Sequence, residues 1–252
     1  MRNAAAAARM EARASITFVI ESERMTPTLV LASNSPRRKQ LLAITGWNFG
    51  VRPVDVDESP FAGEAPDLYV LRLARMKAQA AALNEGEIIL TADTTVADGT
   101  KILGKPADAD EARAMLRDLR GRRHTVYTAI GVRGSLADAR ADGDIVTDLC
   151  AAQVWMRDYS DAEIEAYIAS GDPFDKAGAY AIQHAEFHPA ERVEGCYACV
   201  MGLPVCHVVR ALAQYGLAPL PAGSASLENT CPEQLAIDSP CPAFEEILRT
   251  GI

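Results

Sequence analysis

Apolar and polar positions along this chain alternate with two different periods, and the alternation predicts an α/β fold. Short apolar runs typical of strands occupy residues 28–33, 87–96, 124–133 and 145–156. Amphipathic segments typical of helices occupy residues 36–45, 67–83, 108–121, 160–171 and 204–215. Because strands and helices follow one another in turn, we expect a long mixed β-sheet with helices packed against it.

Turn and capping residues sharpen the expected element ends. Ser35 can cap the first helix and Pro36 suits its first position. Ser160 and Glu163 form the sequence signature of a capping box. Two short apolar segments late in the chain predict further strands, at Tyr180–Gln183 and Cys199–Met201.

The start of the first helix carries two cations in an unfavourable place. Arg37 and Arg38 fall in its first turn, where the helix dipole is already positive. Backbone N–H groups and the hydroxyls of Ser33 and Ser35 accompany them. Such a cluster is stabilised when an anion binds, so the turn predicts a phosphate site.

Two charged residues interrupt apolar patterns elsewhere. Lys77 lies on the apolar stripe of the helix at 67–83, where it must either extend out to solvent or meet an anion. Asp93 interrupts the apolar run 88–96 and is expected at a buried strand end. A carboxylate there needs a metal, a cation or a proton, unless it only caps the strand.

Three further segments carry candidate chemistry of lower specificity. Lys105 lies in a Gly-Lys-Pro turn, and a solvated lysine is the default interpretation. Glu58 belongs to an acidic loop, which is either solvated or supplies a second carboxylate for a cation. Lys176 and Gln183 lie in the segment 171–183, where Gly178 permits close approach of a ligand to the backbone.

Composition limits the partners of the protein. The chain has 252 residues, a net charge of -9 and an isoelectric point of about 5.0, which argues against a general nucleic-acid binder. No apolar run is long enough for a membrane span. We expect a disordered extension at 1–27, one domain at 28–216, and a Pro/Ser/Ala-rich extension with a weak helix at 217–252.

The six cysteines favour free thiols in the cytoplasm, because a chain of this length builds a core without disulfides. Cys196-x-x-Cys199 could indicate zinc, but the strongly apolar surroundings favour core packing. The chain has neither a P-loop motif nor a GxGxxG motif, so a typical P-loop NTPase and a Rossmann enzyme are both excluded.

Six ordered motifs resemble those of the Maf family of nucleoside triphosphate pyrophosphatases, from about residue 29 to residue 212. They are LASNSPRR, RLARMKA, ADTTV, GKP, DKAGAYAIQ and VMGLP. The resemblance implies an inosine-triphosphatase-like fold with a nucleotide cleft. It also implies hydrolysis of a nucleoside triphosphate to the monophosphate and pyrophosphate, with a divalent cation such as Mg²⁺ or Mn²⁺.

The resemblance further implies roles for single residues. Asp93 matches the proton acceptor for the attacking water, and Glu58 with Asp93 matches a metal-holding pair. The residues that match phosphate-binding or catalytic positions are Ser33, Ser35, Arg37, Arg38, Lys77 and Lys105, and Lys176 matches a position beside the substrate. Arg37, Thr94 and Gln183 match the subgroup that favours dTTP and UTP.

Two other functions stay open on the sequence. Members of this family have been linked to septum formation, so a nucleotide-binding regulator of cell division without turnover is one alternative. A nucleotide phosphatase that releases orthophosphate is the other. We expect a nucleoside triphosphate as the partner, no nucleic acid, no membrane, and a homodimer in the cytoplasm.

Overall fold

A mixed seven-stranded β-sheet organises the part of the chain that the computed structural model describes, residues 27–134 and 145–217. Its strands are β1 (Thr28–Leu31), β2 (Phe49–Val51), β3 (Glu87–Asp98), β4 (Lys101–Leu103), β5 (Arg123–Gly134), β6 (Ile145–Met156) and β7 (Ala190–Gly195). Their order is β2-β1-β3-β5-β6-β7, with β4 paired to β3. The β1 strand is parallel to β2 and β3, and the remaining pairs are antiparallel. The predicted α/β class with a mixed sheet is confirmed.

Helices cover both faces of this sheet. They are α1 (Pro36–Ala43), α2 (Pro66–Ala80), α3 (Ala109–Leu119), α4 (Asp161–Ala169), α5 (Tyr197–Met201) and α6 (Val205–Ala213). Apolar residues of α1, α5 and α6 form one core with β1, β3, β5 and β6. On the other face, α2 packs its apolar stripe against β5. Successive strand residues point to opposite faces, so neighbours in β3 enter different cores.

The predicted caps at the helix starts are observed. Ser35 accepts a hydrogen bond from the backbone N–H of Arg38 at 3.4 Å, and Pro36 begins α1. Ser160 and Glu163 form the reciprocal capping box of α4. These local rules worked because a cap depends on residues within one helical turn.

The strand predicted at Tyr180–Gln183 is wrong. The segment follows two short 3-10 turns, Asp172–Asp175 and Ala177–Ala179, in which Gly178 and Ala179 have φ values of 70° and 61°. The backbone N–H of Ala181 then donates to the hydroxyl of Tyr167 at 2.9 Å instead of to a neighbouring strand. A left-handed turn and a side-chain acceptor thus replace the expected sheet pairing.

The strand predicted at Cys199–Met201 is wrong as well, because these residues belong to α5. Its hydrogen bonds are local, and Gly202 ends the helix with a φ of 108°. The short strands β2, β4 and β7 were missed, since three to six residues carry little periodicity. Asp93 also does not stand at a strand end, because β3 continues to Asp98.

Two expectations from the sequence remain, one on membrane-spanning segments and one on the two terminal extensions. No helix among the described residues is long and apolar enough to cross a membrane. The expected disorder of the N-terminal extension and the weak helix near the C-terminus fall outside the described residues. The predicted extents of the three segments therefore stay predictions.

Gly131 of β5 allows α2 to approach the sheet, and this contact gives a test of the packing. A Cβ at Gly131 would lie 2.7 Å from the carbonyl oxygen of Ala74 and 2.7 Å from Oγ1 of Thr91. We expect G131A to lower the free energy of unfolding by about 2 kcal/mol, because backbone must shift to accept the methyl group. Urea unfolding measures the change.

The matched control is G50A on β2, whose Cβ would meet only Cγ2 of Val30 at 3.9 Å. We expect this variant to stay within about 1 kcal/mol of the wild type. Equal unfolding midpoints for the two variants would contradict the packing described here.

Candidate active site

A cleft of about 470 Å³ opens beside the central strand β3. It is bordered by the turn between β1 and α1, the loop before α2, the Gly104-Lys105 turn and the segment 175–183. All eleven residues predicted for the site line it: Ser33, Ser35, Arg37, Arg38, Glu58, Lys77, Asp93, Thr94, Lys105, Lys176 and Gln183. The fold thus brings together positions that are up to 150 residues apart in the sequence.

The turn between β1 and α1 supplies the hydroxyls and one partly buried guanidinium. Ser33 is buried, and its Oγ accepts from the backbone N–H of Ser35 at 3.2 Å and from Nη1 of Arg38 at 3.4 Å. Arg38 also donates from Nε to the carbonyl oxygen of Gly202 at 2.9 Å and from Nη2 to Oγ1 of Thr94 at 3.3 Å. Burial lowers the pKa of Arg38, although the nearby carboxylate of Asp93 opposes this effect.

Lys77 meets anions instead of extending to solvent. Its side chain lies on the inward stripe of α2 and the residue is only 8% exposed. Its Nζ lies 2.6 Å from Oδ1 of Asp93 and 2.6 Å from Oε1 of Glu58. The second of the two alternatives left open for Lys77 is therefore the correct one, and Glu58 is not simply a solvated residue.

Burial controls the protonation of the central carboxylate. Asp93 is 6% exposed, and this burial raises its pKa, while Lys77 and Arg38 oppose the rise. Glu58 is more exposed. Burial also acts to raise its pKa, but Lys77, Lys105 and Arg38 together outweigh that effect, so that the pKa of Glu58 is lowered. Two carboxylates of different basicity therefore face one amine.

Of the carboxylates that line the cleft, Glu58 and Asp93 lie close together and could hold a divalent cation between them. Both oxygens lie 2.6 Å from one nitrogen, so they are within about 5 Å of each other. Within the described residues no group of three or more His, Cys, Asp or Glu side chains could hold a metal ion. Two carboxylates fit Mg²⁺ only when phosphate oxygens complete its ligand shell, which is how Mg²⁺ is often bound with nucleotides.

The remaining predicted residues lie at different depths. Lys105 and Gln183 are exposed at the rim of the cleft. Lys176 is buried, and its Nζ donates to Oδ1 of Asp172 at 2.9 Å and to Oδ1 of Asp175 at 2.6 Å. In this arrangement Lys176 holds its own loop together, and its contact with a substrate stays a prediction.

Tyr69 and Gly202 are among the cleft residues that sequence reasoning did not single out. Tyr69 is buried on α2, and its hydroxyl donates to the carbonyl oxygen of Glu58 at 2.8 Å. Burial, followed by the charges of Asp93 and Glu58, raises the pKa of Tyr69 to about 12, so that it stays a donor. The spacing Tyr69, Leu73, Lys77 on one helix face was the available signal. Gly202, the other missed residue, was signalled only by its place in VMGLP.

Comparison with known sequences assigns the chain. The sequence model of the family described as Maf-like protein matches residues 28–215, which is three quarters of the chain. The chain belongs to the Maf family. This Maf sequence is 47% identical over 197 residues to the dTTP/UTP pyrophosphatase of Anaeromyxobacter dehalogenans, covering 78% of this chain and 98% of that protein. It is also 47% identical over 194 residues to the dTTP/UTP pyrophosphatase of Myxococcus xanthus, covering 77% and 94%.

The similarity to solved structures is much weaker than the similarity to these two sequences. A nucleoside-triphosphatase, dITP/XTP pyrophosphatase, from Mycobacterium abscessus matches 52% of this Maf chain and 75% of its own, with a TM-score of 0.33 and 15% identity. At this level of similarity, the relation of the fold to the inosine-triphosphatase group stays a prediction.

The ion pairs of Lys77 generate a test that does not depend on activity. In K77M the pKa of Asp93 rises further above its ordinary value of 3.8, and the pKa of Glu58 is no longer lowered by the amine. A carboxyl whose pKa is raised in the folded state makes the folded protein less stable as the pH rises from the unfolded-state pKa through the folded-state pKa. We expect K77M to be about 3 kcal/mol less stable than the wild type at pH 8, and closer to it at pH 5. Chemical denaturation at both pH values measures this.

The double variant K77M/D93N serves as the control, because it removes the uncompensated buried carboxylate. Its stability deficit should depend less on pH than that of K77M. A K77M deficit of the same size at pH 5 and pH 8 would show that the amine does not compensate Asp93.

Proposed function

We propose that this Maf protein hydrolyses dTTP and UTP to the monophosphate and pyrophosphate. The observation that carries the proposal is a buried carboxylate, Asp93, beside cations in a cleft of about 470 Å³. A cleft of this volume suits a nucleotide-sized ligand. The names of the relatives, dTTP/UTP pyrophosphatase, support the same substrate class.

Asp93 would act as the proton acceptor. Its raised pKa makes it a stronger base than an ordinary aspartate, and the charges of Lys77 and Arg38 favour its ionised form. A water molecule would lose its proton to Asp93 as its oxygen bonds to the α-phosphorus. The bond from the α-phosphorus to the oxygen that bridges the α- and β-phosphates then breaks, and pyrophosphate leaves with that oxygen.

The cations of the cleft would bind the polyphosphate. Arg37 and Arg38 lie in the first turn of α1, and Lys105 lines the same cleft. Negative charge moves onto the leaving pyrophosphate during the reaction, so cations that contact it favour the transition state over the bound substrate.

A divalent cation, Mg²⁺ or Mn²⁺, is part of the proposal. Glu58 and Asp93 would hold it, with phosphate oxygens as further ligands. When bound, it would neutralise charge on the phosphate groups and act as a Lewis acid.

The choice of base would depend on the rim of the cleft. Gln183 is exposed there, and its amide can both donate and accept, as the mixed edge of thymine or uracil requires. Arg37 and Thr94 are the other two positions at which this chain matches the dTTP- and UTP-preferring subgroup.

The wider expectations also stay proposals: action in the cytoplasm, assembly as a homodimer, and no nucleic-acid or membrane partner. No contact in the described structure favours a regulator of septum formation that lacks turnover. Release of pyrophosphate in a panel of nucleotides with Mg²⁺ or Mn²⁺ separates the enzyme from that regulator.

We expect D93N to release pyrophosphate from dTTP at least about a hundredfold more slowly than the wild type, because the amide cannot accept the proton. The assay follows pyrophosphate and orthophosphate separately, so it also tests the phosphatase alternative. An unfolding curve for D93N shows that the variant is folded. Turnover like that of the wild type would contradict the role of Asp93.

Base selection gives a further prediction at Gln183. A glutamate there accepts but does not donate, so it suits the N4 amino group of cytosine better than the O4 oxygen of uracil. We expect Q183E to shift the ratio of kcat/KM for CTP over UTP upward by about tenfold, which is the effect of one polar contact. An unchanged ratio would place the base away from Gln183.

A further inference from the structure

Thr128 lies directly behind the candidate active site. It is on β5, opposite Thr94 of β3, and it is fully buried. Thr94 is one of the described residues that line the cleft, and Thr128 is not. Any influence of Thr128 on a ligand in the cleft must therefore pass through a neighbour.

The hydroxyl of Thr128 fixes the hydroxyl of Thr94. Thr128 Oγ1 donates to the carbonyl oxygen of Cys199 in α5 at 2.8 Å, and it lies 2.9 Å from Thr94 Oγ1. A hydroxyl has a single hydrogen, and a carbonyl oxygen only accepts. Because Thr128 gives its hydrogen to Cys199, it accepts from Thr94, and the hydrogen of Thr94 points away from the cleft.

The orientation of the Thr94 hydroxyl decides whether Arg38 finds a hydrogen-bond acceptor there. A guanidinium has five N–H groups and accepts nothing, so it needs lone pairs around it. Thr94 offers a lone pair to Nη2 at 3.3 Å because its own hydrogen is engaged with Thr128. Arg38 also donates to Ser33 and Gly202, which leaves two of its five N–H groups for a ligand, counted over the described residues.

The surroundings of Arg38 leave little freedom for an alternative arrangement. Arg38 is partly buried, so an N–H of its guanidinium that loses its acceptor is costly. A Cβ at Gly202 would lie 3.3 Å from Thr94 Oγ1 and 3.5 Å from Arg38 Nε. The end of α5 thus packs closely against both Thr94 and Arg38.

We propose that Thr128 is a positioning residue that acts through Thr94 to orient the guanidinium of Arg38 toward the polyphosphate of the substrate. The ordered hydrogen bonds run from Arg38 to Thr94, from Thr94 to Thr128, and from Thr128 to Cys199. The proposal rests on the proposed function, since it supposes that Arg38 binds phosphate oxygens. It adds a residue outside the cleft to the determinants of activity.

The first test compares T128V with T128S. Valine keeps the volume of the side chain but frees the hydrogen of Thr94, which can then turn toward Arg38. We expect T128V to lower kcat/KM for dTTP about tenfold, the effect of one hydrogen bond to a charged group. T128S keeps the hydroxyl and should retain at least half of the wild-type value.

The matched control is T45V. Thr45 is also fully buried and donates its hydroxyl to a backbone carbonyl, that of Leu42 at 2.6 Å, but it lies outside the cleft. We expect T45V to lower the melting temperature without changing kcat/KM. If T45V and T128V lower kcat/KM equally, the effect of Thr128 is one of general stability and the proposal is wrong.

A double-mutant cycle tests whether Thr128 acts through Arg38. In an R38A background, T128V should change kcat/KM less than about twofold, because there is no guanidinium left to orient. A tenfold loss in both backgrounds would overturn the proposal.

Binding of inorganic pyrophosphate, measured by calorimetry, separates this proposal from the proposed function. We expect T128V to weaken binding about tenfold and T45V to leave it unchanged. If the wild type does not hydrolyse dTTP, the proposed function fails and this binding comparison alone decides the role of Thr128. If the wild type hydrolyses dTTP but T128V equals it in both assays, the positioning role fails and the proposed function stands.

Discussion

The ion pairs of Lys77 with Asp93 and Glu58 are the interaction on which the site depends. Asp93 stands in the middle of a central strand, where a lone carboxylate would be strongly disfavoured. Lys77 reaches it from α2 and also draws in Glu58 from the loop before that helix. One amine therefore favours the ionised form of a buried carboxylate and joins α2, β3 and the loop before α2 at the wall of the cleft.

The alternation of side chains along β3 divides the site between the two faces of the sheet. Asp93 points toward α2 and Lys77, whereas Thr94 points toward α5 and Arg38. Two adjacent residues of one strand therefore serve the site. Asp93 is the proposed proton acceptor, and Thr94 accepts a hydrogen bond from Arg38, the proposed phosphate-binding residue. Strand β3 pairs with β5, and Thr128 of β5 lies directly beside Thr94 in this pairing.

The sequence was sufficient for features set by local chemistry and less so for features set by tertiary contacts. Ser35, Pro36 and the long strands followed from capping and periodicity, and a misplaced lysine and aspartate marked the site. The short strands and the turn at Gly178 and Ala179 did not, because tertiary contacts select them. The ion pair between Lys77 and Asp93 joins residues 16 positions apart, and only the packing of α2 on β3 reveals it.

In the proposed reaction the cleft directs a water molecule at the α-phosphorus of a nucleoside triphosphate. Hydrolysis of dTTP in ¹⁸O-labelled water, followed by mass spectrometry of both products, shows which phosphorus atom the water attacks. We expect the label in the nucleoside monophosphate and none in pyrophosphate. Label in pyrophosphate would place the attack on the β-phosphorus, and release of labelled orthophosphate with a nucleoside diphosphate would place it on the γ-phosphorus. Either result would contradict the account.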